Sequence, residues 1–392
     1  MLSKVIEILN KRKKNIILII IYIFIIFILS LVIKNVNYFE DLFQKDSNVV
    51  REISVTIIKT RVEIKEEEDV MGNLHKAEYD VICFNLPDNG EYKEMSIDAL
   101  SEDEKIKKGD RIIVYTIDGG EYTYGGYDRK YDIAILTVAF IVVTILIGGI
   151  LGIKSLFSLV LSFLVLIYGV VPLLIKGYDP ILIILTAGVI ILALSLFILY
   201  GIHNATFLAF VGTLIGLIIS LLLSIVFINI LKLSGLSNEL SIYVNSNFNV
   251  DIDMKNLLIG AFILGTIGIV DDVSMSQVVI VKELIKTNKR LFPSKLYKKA
   301  MNVGKSHIAS MINTLFMVYF AVSLPMILVF LMSNLSFFEI INKEFIITEI
   351  VRTLIGSIAL ILSVPITTYL ASRFLLKGNV LDKLKKDINF KK

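Results

Sequence analysis

Long apolar runs separated by short polar links make up most of this chain. The first run, 16–33, follows the basic cluster Lys11-Arg12-Lys13-Lys14, and no small-residue cleavage site comes after it. It reads as an uncleaved anchor helix rather than a removed signal peptide. Further runs lie near 132–152, 155–175, 180–200, 206–231, 256–281, 309–332 and 349–376. Each approaches or exceeds the ~20 residues a helix needs to cross a bilayer. With the anchor they predict about eight transmembrane helices. The links after Gly152, Lys176 and Gly201 are short, which predicts antiparallel neighbours.

Residues 35–131 break this pattern. Their apolar positions alternate over short stretches such as "ISVTIIKTRVEI", "YDVICFNL" and "RIIVYTI". Turn signals punctuate them: "PDNG" at 87–90, "KKGD" at 107–110 and "DGG" at 118–120. Period-two alternation bounded by Gly, Asn and Asp predicts a small β-rich domain, a barrel or a sandwich. It falls between the first and second transmembrane helices, on the extracytoplasmic side.

Composition fixes the class. The chain has 392 residues, of which 55% are hydrophobic, and its mean hydropathy is +0.76. That excludes an ordinary soluble domain and predicts a polytopic α-helical membrane protein. The net charge of +4 matters less than its distribution. Segment 282–307 carries a single acid, Glu283, among many lysines, and the chain end is similarly basic. The segments 232–255 and 333–348 carry few basic residues. Under the positive-inside rule, both termini and the connector 282–307 face the cytoplasm. The expected division is therefore 1–34, cytoplasmic N-terminus and anchor, then 35–131, the outer β-rich domain. A seven-helix bundle follows over 132–376, with a basic cytoplasmic tail at 377–392. The expected location is a bacterial cell membrane. The lysines also suit contact with anionic lipid, whereas no aromatic interleaving or known fold points to nucleic acid.

Cys83 is the single cysteine, which rules out an intramolecular disulfide. His75, His203 and His307 are scattered, so no metal site and no cofactor is expected. There is no phosphate-binding Gly-Lys-Ser/Thr loop and no His-Glu-x-x-His.

The candidate chemistry lies in "GTIGIVDDVSMSQ", residues 265–277. Steps of three and four put Gly265, Gly268, Asp272 and Ser276 on one face of a helix. Small residues let a neighbouring backbone approach closely, so this face is expected to point into the bundle. Asp271 lies about 100° around the helix. At ~1.5 Å per residue, Asp272 lies ~24 Å from the outer end of its span. Asn313, Thr314, Thr367 and Thr213 fall at comparable depths on other helices. A carboxylate costs at least ~2.5–3.5 kcal/mol at helix centre, so intramembrane acids mark proton relays or ion sites. Asp271 and Asp272 could load a proton, or ligate a cation with Ser276, Asn313, Thr314 and Thr367. If lipid contact instead ends near Val270, the acids merely begin a solvated segment. Glu349 and Arg352, spaced i,i+3, read as a structural ion pair. His307 reads as interfacial. Gly148 and Gly152, four residues apart, read as a close-packing pair.

Several stretches together resemble the YibE/F family of bacterial multi-pass membrane proteins. In "GIVDDVSMSQ" the match is carried by Asp272, Val273, Met275 and Ser276. Met301, Asn302, Gly304, Met311, Asn313, Thr314, Leu315 and Pro325 carry a second part. Glu349, Arg352, Gly356, Ser357, Pro365 and Thr367 carry a third. Lys305-Ser306 stands where the family often has Arg-Asp. More distantly, the order of parts is similar to half of a SecF-type or resistance-nodulation-division permease. That likeness implies proton-coupled conformational work and pairing with a homologous subunit or a second copy.

Two functional readings follow. One is a secondary transporter or export-coupled permease with an intramembrane carboxylate as proton or cation site. The other is a membrane scaffold or accessory subunit whose outer β-domain binds a partner. An intramembrane enzyme is disfavoured, because adjacent Asp residues on one helix cannot face each other.

Overall fold

The computed structural model describes residues 50–389, apart from 69–73, 88–89, 99–104, 118–120, 238–240, 244–251, 289–290 and 334. The anchor helix expected at 16–33 and the N-terminal basic cluster lie outside the described residues. The chain forms two compact units divided between Gly152 and Ile153.

The first unit holds five antiparallel strands: β1 (Val50–Glu68), β2 (Leu74–Asn85), β3 (Tyr92–Asp98), β4 (Arg111–Ile117) and β5 (Tyr122–Tyr127). Their order in the sheet is β3-β2-β1-β4-β5. The long β1 serves two neighbours in turn. Val50 to Thr56 pair with β4, and Ile57 to Glu68 pair with β2. The change of partner coincides with a bulge between Ile57 and Lys59. An extra residue there bends the strand and deepens its twist. The sheet curls, and its edge strands β3 and β5 approach each other as in half a barrel. Val55, Ile57, Ile82, Phe84, Met95, Ile112 and Val114 form the core, with Ile106 from the loop before β4. The alternation along β1 and β4 thus points apolar residues inward. At the end of the sheet, Asp128 accepts hydrogen bonds from the Ser54 hydroxyl (2.5 Å) and the Lys130 amide (3.1 Å). The Ser54 bond, then the Lys130 amide, hold its carboxyl below the ordinary carboxylate range.

From Lys130 the chain is helical. Helix α1 (Lys130–Leu164) contains one non-helical residue, Gly149, at φ 53° and ψ −134°. Gly152 then lies directly against the backbone carbonyl of Thr144. In an uninterrupted helix those two residues would be ~12 Å apart, so the chain turns back on itself at Gly149. This accounts for the two runs at 132–152 and 155–175, with the turn three residues before the expected link. A π-helical turn (Val165–Val170) and α2 (Val171–Ile175) follow.

Next come α3 (Pro180–Tyr200), α4 (Asn204–Ile230), α5 (Met254–Thr287), α6 (Pro293–Met332), the short α7 (Phe337–Ile341) and α8 (Glu344–Asn389). Local chemistry starts several of them. Asp179 caps the amides of Ile181 and Leu182, with Pro180 at the first helical position. Asp253 caps α5 at Asn256, and Ser336 with Glu339 forms a capping box on α7. Counting Lys130–Ile175 as one, six described helices are long and apolar enough to cross a membrane. Most of segment 282–307 is itself helical, split between the end of α5 and the start of α6.

In the second unit α5 is the hub, with α3, α4, α6 and α8 all packed on it. Phe262, Ile263, Val270, Val273, Val278 and Val281 are its deeply buried apolar residues. Close approach depends on glycines of the partner helices. A Cβ at Gly212 of α4 would overlap Thr367 of α8. One at Gly216 would lie 2.7 Å from Val270 and 3.3 Å from Ser363. The expected packing glycines behave differently. Gly268 is exposed, and neither it nor Gly148 would meet any atom within 4 Å. Gly265 does approach a neighbour, with its Cβ position 3.2 Å from the Tyr319 hydroxyl. The small-residue face of α5 is therefore only partly its packing face. The bundle instead grips the face that runs through Thr266, Val270, Ser274 and Gln277.

Two expectations follow. Gly212→Ala should lower the detergent-extracted protein's stability by roughly 1–3 kcal/mol through overpacking. Gly268→Ala should leave its melting temperature unchanged or higher, and a thermal-shift comparison of the two checks this. For Asp128, the native carboxyl titrates below its ordinary value of 3.8, so its contribution is complete above that pH. That contribution disappears as pH falls through the lowered native value. Full-length Asp128→Asn should therefore show a shallower loss of β-domain stability below about pH 4 in acid titration.

Candidate functional site

The carboxylate pair lies just past the middle of α5, and the hub position gives it neighbours from two other helices. Asp271 is half-buried and lies near Ser195 of α3. Asp272 is exposed and lies within electrostatic range of His307 on α6. Tyr200, at the end of α3, lies within range of both acids. The cluster thus joins Ser195 and Tyr200, Asp271 and Asp272, and His307. It can hold a proton between carboxylate, hydroxyl and imidazole, or offer adjacent carboxylate oxygens to a cation.

The face of α5 expected to point into the bundle carries Asp272 to an exposed position instead. Asp272 shares its face with exposed Gly268, away from the packed side of α5. Asp271, one residue earlier, turns toward α3. Ser276 is half-buried, with no hydrogen bond from its side chain among the described residues. Asn313 and Thr314 do not join the cluster. Both are exposed, and the Thr314 hydroxyl donates to the Ser310 carbonyl of its own helix (3.0 Å). Thr367 is fully buried but faces elsewhere, donating to Ser274 Oγ (3.3 Å). Thr213 is also buried, bonded to the Ala209 carbonyl. Among the described residues no group of three or more His, Cys, Asp or Glu is arranged to hold a metal ion.

Thr367 belongs to a second polar feature, a seam inside α4, α5 and α8. Ser220 and Thr266 share a hydrogen bond of 2.8 Å, and Thr368 donates to Gln277 Oε1 at 3.0 Å. All these residues are buried. Gly304 of α6 closes over the Gln277 amide, which lies 3.1 Å from its Cβ position. Gln277 Nε2 is buried without a protein acceptor. In an apolar bundle such bonds replace the hydrophobic drive that lipid removes, each contributing on the order of 1 kcal/mol.

The third polar feature is Glu349–Arg352 on α8. Arg352 Nη1 lies 3.2 Å from Glu349 Oε1, and the two side chains are 27% and 13% exposed. Glu349 Oε2 and Arg352 Nε are both buried and unpartnered. The guanidinium also lies over the Phe262 ring, 5.3 Å from its centroid. Beside the pair, α6 and α8 enclose a cavity of about 110 Å³ lined by Tyr319, Ser323, Glu349, Thr353 and apolar side chains. The i,i+3 spacing identified the pair, but only packing shows that its hydrogen bonding is half complete.

All three features lie within one matched region. Residues 136–377 match the family described as YibE/F-like protein. The chain belongs to that family. A search of the curated proteins found no match, and neither did a search of the solved structures. The permease-half resemblance therefore has no counterpart in those searches. The strands of the first unit precede the matched residues, whereas α3 to α6 and most of α8 fall inside them.

The ion pair supports a direct test. Glu349→Ala leaves a half-buried Arg352 unpaired, which should cost about 1–3 kcal/mol, less than a fully buried pair would. The double variant Glu349→Leu/Arg352→Met should recover most of that loss, as read by thermal unfolding in detergent. A double variant as unstable as the single one would mean that the pair does more than satisfy itself.

Proposed function

We propose that this YibE/F-family protein is a secondary transporter or export-coupled permease. In this reading the Asp271–Asp272 cluster is its proton or cation site. The observation that carries the reading is the meeting of two intramembrane carboxylates with a serine and a tyrosine of one neighbouring helix and a histidine of another. Ionisable groups are expensive inside a membrane, and they recur where protons or ions are moved. The chain adds the anchor at 16–33 to the seven apolar runs that follow, so that eight spans hold both termini in the cytoplasm. The β-domain then faces outward from a bacterial cell membrane, and the lysines at the ends of α5 and α6 face inward.

Asp271 is the coupling residue in this proposal, because it is the more buried acid and lies against Ser195 of a neighbouring helix. Asp272, with His307, tunes access from the exposed side. A rearrangement of α3 or α6 against α5 would change the partners of the acids, which is what coupling requires. Asp271→Asn should lower ion-coupled flux in proteoliposomes by at least ~10-fold without loss of folded protein. Asp272→Asn should lower it less. Full flux from well-folded Asp271→Asn would sink the mechanism.

A further inference from the structure

The first unit contains a pocket that the helical cluster does not explain. Its volume is about 340 Å³, within the ~300–1,000 Å³ range of small-molecule sites. Gly109, Asp110, Arg111, Tyr127, Asp128, Arg129 and Asp132 line it. It lies where the sheet hands over to α1, one turn before the apolar run that begins at Ile133. The site is built, because both sides are pinned by backbone bonds. The Ile57 amide donates to the Asp110 carbonyl, Gly109 donates to Ile57, and the Asp128 amide donates to Arg111, each at 2.9 Å.

The charges in this pocket are mixed and only partly spent. Arg111 lies over the Tyr131 ring, 4.1 Å from its centroid, and Arg129 over the Tyr127 ring at 5.6 Å. Neither arginine forms an ion pair among the described residues. A ring face engages a guanidinium's flat side and leaves its in-plane N–H donors free, and those donors match phosphate oxygens. On the acidic side, Asp128 is committed to Ser54 and Lys130. Asp110 has one oxygen engaged by the Lys107 amide (2.7 Å). Asp132, on the first turn of α1, makes no hydrogen bond or ion pair among the described residues. The pocket therefore offers two guanidiniums for an anion and carboxylate oxygens for a cation that can donate hydrogen bonds.

We propose that this pocket binds a zwitterionic phospholipid headgroup of the phosphoethanolamine type. Arg111 and Arg129 take the phosphate, and Asp132 and Asp110 take the primary ammonium. The position favours a lipid source. The pocket's lining reaches the first turn of a helix whose next residues are apolar, and Tyr127 and Tyr131 beside it are of the aromatic type enriched at headgroup level. A choline headgroup has no N–H to donate, and a purely anionic headgroup meets three carboxylates.

The test uses the full-length protein in nanodiscs holding equal mole fractions of phosphatidylethanolamine, phosphatidylglycerol and phosphatidylcholine. Lipid retained on the protein is read by native mass spectrometry. The proposal expects phosphatidylethanolamine to be retained several-fold over the other two. R111Q/R129Q should abolish that retention, while R111K/R129K keeps part of it and so separates lost charge from lost fold. D132N should erase the discrimination against phosphatidylglycerol. Equal retention of all three lipids by the wild-type protein would overturn the proposal, as would unchanged retention by a folded R111Q/R129Q variant. Soluble glycerophosphoethanolamine is the second probe. Should it saturate the pocket while phosphatidylethanolamine is not retained, the lipid source is wrong.

Discussion

The helical unit depends on how closely α4, α5 and α8 can approach. Lipid tails are as apolar as leucine, so burying one apolar helix face against another gains little inside a membrane. What remains is close packing and hydrogen bonding, and this bundle uses both in one place. Gly212 and Gly216 remove side chains where Thr367, Ser363 and Val270 need space. That approach brings Thr367 to Ser274 and Thr368 to Gln277. With α5 held in this way, one of its sides meets α3 and another meets α6. The carboxylates then acquire their neighbours from those two helices.

The seam and the acidic cluster occupy different sides of α5, and this separation has mechanical meaning. The seam is buried, and all but Gln277 Nε2 of the side-chain groups that build it have partners, which suits a rigid part. The cluster is half-open, and its members come from helices that touch α5 along other faces. A bundle with one fixed side and one adjustable side can change partners at the acids without unpacking its core.

Much of this fold was legible from hydropathy. Apolar runs of sufficient length marked the helices, and period-two alternation marked β1, β2 and β4. The turn at Gly149 was missed by three residues, because a reversal made by one glycine leaves no polar loop to signal it. The packing face of α5 was misjudged for a different reason. A helix that is apolar nearly all round has almost no amphipathic contrast, so small residues were the only guide, and Gly268 turned out to face outward. Ser195 was hidden as a lone hydroxyl in "ILALSLFILY", and only the packing of α3 on α5 gives it a role. Asn313 and Thr314 were chosen by depth along their helix, but depth does not specify azimuth. The Glu349–Arg352 pair was visible as spacing, whereas its unpartnered atoms depend on three-dimensional neighbours.

The turn at Gly149 also bears on how the protein enters its membrane. Its φ of 53° with ψ of −134° is a backbone geometry open essentially to glycine. Because one residue makes the reversal, the chain changes direction there without a polar spacer, and Gly152 already lies back against Thr144. Around the turn, Lys154 is the nearest charged residue in the sequence, so the positive-inside rule has a single local charge to act on there.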